Sequence, residues 1–163
     1  MRFSLLTRSL LLLLPCAIYA FAQDLGPESL LENAFRMGSI LQDTNNDHIP
    51  DAVCGHIIVP QSPNTAENVA AANLAARLGY ETTGITLPLV TGPAGKVGTS
   101  CASGVTNVWV GNSAIPSADA PWVQKAISGL QIGEGGVFVL NKGLAIVAAD
   151  EVGLMAAANA YAA

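Results

Sequence analysis

Basic side chains are scarce in this chain. Its 163 residues include seven Lys and Arg against twelve Asp and Glu, with two His. Arg2 and Arg8 stand ahead of residue 22 and every acidic residue stands behind it. The part after residue 22 therefore has five basic and twelve acidic side chains, a formal charge of −7. Gripping a phosphate backbone takes a basic surface, so nucleic acid is excluded as a partner. An anionic lipid surface is disfavoured for the same reason. The sequence also lacks H-E-x-x-H, G-x-S-x-G and C-x-x-C, the local signatures of zinc peptidases, serine hydrolases and dithiol redox enzymes. It has no Asn-x-Ser/Thr sequon.

No apolar run is long enough to span a bilayer. The longest, Leu10 to Ala22, has 13 residues, short of the roughly 20 that a spanning helix needs. Arg2 and Arg8 ahead of it, and the small-x-small pattern Ala20-Phe21-Ala22 behind it, read as a cleaved export signal over residues 1–22, with a mature start at Gln23. Pro15 before Cys16 argues against a lipoprotein signal. Cleavage leaves 141 residues, enough for one domain with a core. The expected location is secreted, periplasmic or cell-surface, with no membrane attachment after cleavage.

Cleavage also removes Cys16 and leaves Cys54 and Cys101. Two cysteines in an exported chain suggest one disulfide, closing a 47-residue loop and worth about 4 kcal/mol on the chain-entropy model. Two buried free thiols are the alternative.

What is present is an alternation of helical and strand-like segments. Residues 28–41 carry Leu30, Leu31, Ala34, Phe35, Met37, Ile40 and Leu41 at helical spacings, predicting a short amphipathic helix. A polar loop, QDTNNDHIPDA, follows, and then a strand-like run from Cys54 to Val59. Asn64 with Glu67 three residues on forms a capping box for a helix that should stop at Gly79. Thr82 to Val90 is alternating and β-branched, predicting a strand. A Gly- and Ser-rich loop leads to a strand over Val105–Val110, then a helix beginning at Ser117 or Asp119. Val137–Leu140 and Leu144–Ala148 read as a hairpin, and Asp150 or Glu151 starts a last helix. This order predicts an α/β fold, a small mixed sheet flanked by helices. The expected domains are an N-terminal helix and loop over 23–52 and the α/β domain over 53–163. The last helix lacks a stop signal, so the chain reads as the front of a longer protein.

The most specific stretch is Asp43-Thr44-Asn45-Asn46-Asp47-His48-Ile49-Pro50-Asp51. Side-chain oxygens fall at positions 1, 3, 5 and 9 of a tight loop, with the backbone carbonyl of Ile49 at position 7. A hard cation such as Ca2+ takes six to eight oxygens, and this spacing can fold them around one point. These nine residues resemble the calcium repeats of thrombospondin type 3 and dockerin modules, D-x-N/D-x-D-G-x-x-D. The resemblance implies Asp43, Asn45, Asp47 and Asp51 as side-chain ligands. In two places the chain departs from the pattern. The usual Gly is His48, which must then adopt a left-handed conformation. Position 12, where an EF-hand has Glu, is Cys54.

Other motifs carry less. Gly92-Pro93-Ala94-Gly95-Lys96 has the wrong spacing for a P-loop and lacks Ser or Thr after Lys96. Gly133-Glu134-Gly135-Gly136 precedes a strand, whereas a dinucleotide fingerprint follows one. A disulfide at Cys54 would bring His56 toward Ser100 and Ser103, with Asp119 or Asp150 as orienter. The spacing does not require this, and a surface or edge-strand histidine is the expectation. Trp109 should face away from Val108 and Val110. Trp122 and Trp109 are core candidates, with stacking on a sugar ring as the alternative.

Val105–Gly111, Gly136–Leu140, Gly143–Ala148 and Asp150–Tyr161, about 55 residues, resemble the end of non-catalytic α/β domains that precede the catalytic domains of some bacterial glycoside hydrolases. In those enzymes this domain carries no catalytic residue, so none is transferred. The resulting expectation is an exported, non-catalytic accessory or binding module with a calcium-stabilised loop. Its expected partner is carbohydrate or a downstream domain of the same protein. The rival readings are the front of a secreted hydrolase whose catalytic part lies further on, and a structural cell-surface protein.

Overall fold

The computed structural model describes residues 27–96, 101 and 104–163. The expected signal over 1–22, and Ser100 and Ser103, lie outside them. The elements run α1 (Pro27–Asn33), β1 (Leu41–Gln42), β2 (Ala52–Val53), β3 (Gly55–Ile58), α2 (Thr65–Tyr80), β4 (Val90–Thr91), β5 (Thr106–Val110), α3 (Ala120–Ile127), β6 (Gly135–Leu140), β7 (Gly143–Ala148) and α4 (Glu151–Ala162). Five strands form one mixed sheet in the order β4-β3-β5-β7-β6. The first four are parallel, and β6 runs antiparallel to β7 at the edge. The protein is α/β, as its alternating segments imply.

Burial on both faces explains the uninterrupted apolar runs of the inner strands. Ile57, Val108, Val110, Leu144 and Ile146 point to one face, where they pack with Ala70, Ala71, Leu74 and Leu78 of α2 and Leu154 and Ala158 of α4. Ile58, Trp109, Ala145 and Val147 point to the other, where Val123 of α3 packs. Trp109 thus faces away from Val108 and Val110, as the strand period requires. Alanines on α2 and α4 let the two helices lie close, and Asn73 Nδ2 donates to Asn159 Oδ1 across them at 2.7 Å. Ala34, Ile40, Leu41 and Val53 join the same core as α2 and β3.

The capping box forms as the sequence implies. Glu67 N–H donates to Asn64 Oδ1 and Asn64 N–H donates to Glu67 Oε2, both at 2.8 Å. Asp150 caps α4, accepting from Gly153 N–H at 2.8 Å.

Three expectations fail locally. The helix predicted over 28–41 ends at Asn33. Gly38 takes φ +98, and the chain turns so that Ile40 and Leu41 enter the core. Helical spacing alone could not separate this turn from a continuing helix. The strand predicted over 82–90 shrinks to Val90–Thr91, because Thr82 and Thr83 are drawn instead to the carbonyl of Pro50, with Thr83 N–H donating to it at 2.9 Å. Helix α2 passes through Gly79 and ends at Tyr80, where Glu81 N–H donates to the Arg77 carbonyl.

Candidate functional site

The loop 43–51 is closed by an element too short to read from sequence. β1 and β2 pair antiparallel, Leu41 opposite Val53 and Gln42 opposite Ala52. This two-residue ribbon, anchored by buried Leu41 and Val53, leaves the nine intervening residues as a hairpin loop.

Inside the loop, two residues are left-handed, Asn46 (φ +63) and His48 (φ +67). His48 thus has the backbone that position 6 of such a loop demands. The calcium-repeat pattern does not call for the left-handed Asn46 at position 4. Together they coil the chain so that its amides point at its own acidic side chains. Asp43 Oδ1 accepts from Asn46 N–H at 2.7 Å and Asp47 N–H at 3.3 Å, and Asp43 Oδ2 accepts from His48 N–H at 2.8 Å. Partial desolvation pushes the Asp43 carboxyl up, but the N–H groups of His48, Asn46 and Asp47 together outweigh it and hold the group below the ordinary carboxylate value.

Asn45 Oδ1 accepts from Asp47 N–H at 2.9 Å, and Asp47 Oδ1 accepts from Ile49 N–H at 2.9 Å. Asn45 Nδ2 donates to Asp47 Oδ2 at 3.1 Å. Asp43, Asn45 and Asp47 are therefore gathered by one network. Asp51 is not part of it. Its Oδ1 accepts from Thr44 N–H at 2.7 Å and its Oδ2 from the Thr44 hydroxyl at 2.8 Å. Among the described residues, no three acidic, His or Cys side chains converge as a metal-ligand group. The donors fit a hard cation by type, all oxygens from carboxylate, amide and the Ile49 carbonyl. To serve as the ninth-position ligand, Asp51 would have to exchange its bond to the Thr44 hydroxyl for the ion.

Cys54 and Cys101 sit at disulfide distance, their Cα atoms 5.7 Å apart. The link joins the start of β3 to the segment ahead of β5.

The expectation of a surface or edge-strand histidine at position 56 fails. β3 is an inner strand between β4 and β5, and His56 is 7% exposed. Its Nε2 lies 2.6 Å from Thr91 Oγ1. The Thr91 hydroxyl gives its own proton to the Gly92 carbonyl, which leaves His56 Nε2 as the donor. Burial pushes the imidazole below its ordinary value, and a bond with Asn107 offsets this in part. The histidine is thus spent on holding neighbouring strands together. Neither proposed orienter is near this role. Asp150 accepts from Gly153 and Gly133 N–H, and Asp119 opens α3.

The two tryptophans divide. Trp109 is buried in the core under α3. Trp122 is 41% exposed and packs edge-on to Phe138 with ring centroids 6.0 Å apart, so of the two it is the one with a free aromatic surface.

Searches against models of known protein families and against curated proteins find no match to the chain.

Proposed function

We propose that the chain is an exported, non-catalytic accessory or binding module, the front of a larger bacterial envelope or extracellular protein, whose loop 43–51 binds one Ca2+. The observation that carries the calcium reading is the pair of left-handed residues, Asn46 and His48. A non-Gly residue rarely takes positive φ; His48 takes it at position 6, where a cation loop makes its sharp turn, and Asn46 adds a second left-handed turn two residues earlier. The ion would be held by Asp43, Asn45, Asp47, the carbonyl of Ile49 and Asp51. It would neutralise three carboxylates that otherwise repel one another, so loop folding would be linked to it.

The accessory reading rests on how the titratable side chains are spent. Glu67 and Asp150 cap helices, Glu81 pairs with Arg77 at 2.9 Å, and Glu134 Oε2 accepts from Gln131 N–H at 2.8 Å. His56 is buried against Thr91.

Isothermal titration with Ca2+, on the protein and on Asp47→Ala, tests the ion. We expect saturable heat that is lost in the variant; silence at millimolar Ca2+ in the intact protein refutes it. Assays against polysaccharides, chromogenic glycosides, esters and casein test the rest. Turnover lost on His56→Ala, or on replacing Glu81 or Glu134, would overturn the non-catalytic reading.

A further inference from the structure

A cavity of ≈ 220 Å³ opens at the other end of the sheet, lined in part by Asn64, Glu67, Gly111, Asn112, Asp150 and Leu154. Its place follows from the topology. From β3 the chain crosses through α2 to β4 on one side, whereas from β5 it goes to β6 and β7 on the other. The loops leaving β3 and β5 therefore diverge at their carboxyl ends, and the crevice between them is where open α/β sheets receive ligands.

From this cavity we infer a binding site for a small organic cation bearing a primary ammonium group, with Glu67 as its charge partner. The inference rests on the reading of the chain as a binding module. Glu67 is 9% exposed. Its Oε2 accepts from Asn64 N–H, but among the described residues its Oε1 accepts no hydrogen bond, and it lines the cavity. The backbone makes room for that oxygen. Gly111 takes φ +95, and a Cβ there would collide with Glu67 Oε1 and lie 2.8 Å from its Cδ. Most of the Glu67 side chain is buried, but Oε1 faces the cavity, where a donor from outside can reach it.

The charge of the lining selects which donor. Glu67, Asp150 and Glu151 contribute to it, and among the described residues no Lys, Arg or His does. The N-termini of α2 and α4 open here, but Asn64 Oδ1 already takes Glu67 N–H and Asp150 Oδ1 takes Gly153 N–H. Phosphate and carboxylate ligands are thus repelled, and a cation that donates hydrogen bonds is favoured. The walls are fixed. Asn112 clasps Ala148 by two bonds, Nδ2 to its carbonyl at 2.9 Å and Oδ1 from its N–H at 3.1 Å, and Leu154 adds a buried apolar surface. The volume equals roughly seven waters, room for an amino sugar or a simple amine of amino-acid size.

The test is NMR titration of 15N-labelled protein with glucosamine, ethanolamine, glucose and acetate at matched ionic strength. Saturable shifts at Glu67, Gly111, Asn112 and Ser113 with glucosamine, ethanolamine or both, and none with glucose or acetate, support the site. Glucosamine alone assigns the sugar ring as part of the ligand; both amines assign the ammonium group alone. Glu67→Gln preserves the capping-box pattern and should weaken amine binding at least tenfold while the spectrum stays dispersed. No saturable shift with either amine at tens of millimolar, equal shifts with glucose, or an unchanged response in Glu67→Gln would overturn the site. Those failures leave the binding-module reading standing, whereas turnover in the substrate assays removes that reading whatever the titration gives.

Discussion

Gly153→Ala should destabilise the protein although it replaces glycine by the best helix former. Gly153 lies in the first turn of α4, and in an open helix this change would gain up to about 1 kcal/mol. Here the helix rests on backbone. A Cβ on Gly153 would run into the carbonyl of Glu134 and come 2.9 Å from its nitrogen. That peptide cannot step aside. The Glu134 carbonyl accepts from Ala149 N–H at 3.0 Å, and Glu134 N–H donates to the Gln131 carbonyl at 3.0 Å. The helix must therefore lift, and lifting it loosens Leu154 and Ala158, which are buried against the sheet. Overpacking costs about 1–3 kcal/mol, and a rigid obstacle puts this case at the upper end. Subtracting the propensity gain leaves a net loss of about 2 kcal/mol, or roughly 6–8 °C in Tm for a domain of this size. Gly79→Ala is the matched control. It also lies in a helix, but its Cβ would meet only Ile85 Cδ1, at 3.7 Å, an ordinary contact. It should be neutral or stabilise by about 0.5 kcal/mol. Urea and thermal unfolding followed by circular dichroism compare the two. If both variants match the parent protein, α4 does not lie on the Glu134 peptide.

Asn64→Ala removes the acceptor for Glu67 N–H and should cost about 1 kcal/mol, read as a lower urea midpoint at unchanged slope. Reducing Cys54–Cys101 should cost up to about 4 kcal/mol from the 47-residue separation; equal midpoints with and without reductant would refute the link. Acid should weaken the fold in two stages. His56 is held below 6.5, by burial, and Asp43 and Asp150 below 3.8, Asp150 chiefly by Gly153 and Gly133 N–H. In each case the unfolded chain binds more protons, so stability is full above the unfolded value and falls as the pH drops through it. The first loss should begin below pH 6.5 and the second below pH 3.8; a urea midpoint that rises from pH 7 to pH 5 would contradict this.

The parts of the fold legible in the sequence were those fixed by local chemistry. Asn64 and Glu67 announce their helix because both halves of the capping box lie within four residues. Val137–Leu140 and Leu144–Ala148 read as a hairpin because two short apolar runs flank the turn residues Asn141-Lys142-Gly143. What was not legible depends on distant partners. Nothing in Thr82–Leu89 shows that its threonines will turn to Pro50 rather than to a neighbouring strand. The β1–β2 ribbon is two residues long on each side, below any period, and the burial of His56 follows from β3 lying between β4 and β5. The loop 43–51 showed its spacing, and the sequence required a left-handed His48, but not the left-handed Asn46. Glu67 appeared only as a capping residue; its free Oε1 depends on Gly111, 44 residues further on, and no local pattern links them.

The two ends of the sheet are built differently. At the end where β3 and β5 begin lie the Cys54–Cys101 pair, the β1–β2 ribbon and the Pro50 carbonyl, which collects Thr82 and Thr83. Those contacts tie distant segments together, and a cation at 43–51 would add one more tie to an end already held by several. At the opposite end the strands release into Asn64, Gly111 and Asp150, where caps and clasps fix the backbone but leave a carboxylate oxygen facing a cavity. An ion bound at the first end would thus act on stability, since it closes a loop remote from the crevice. The proposed ligand site lies at the second end, where Glu67 is held by its cap and, among the described residues, its Oε1 accepts no hydrogen bond. Glycines serve both ends: Gly111, Gly135 and Gly153 let backbone or the Glu67 carboxylate approach beside the crevice, and Gly55, Gly84 and Gly143 allow equally close approaches at the stapled end.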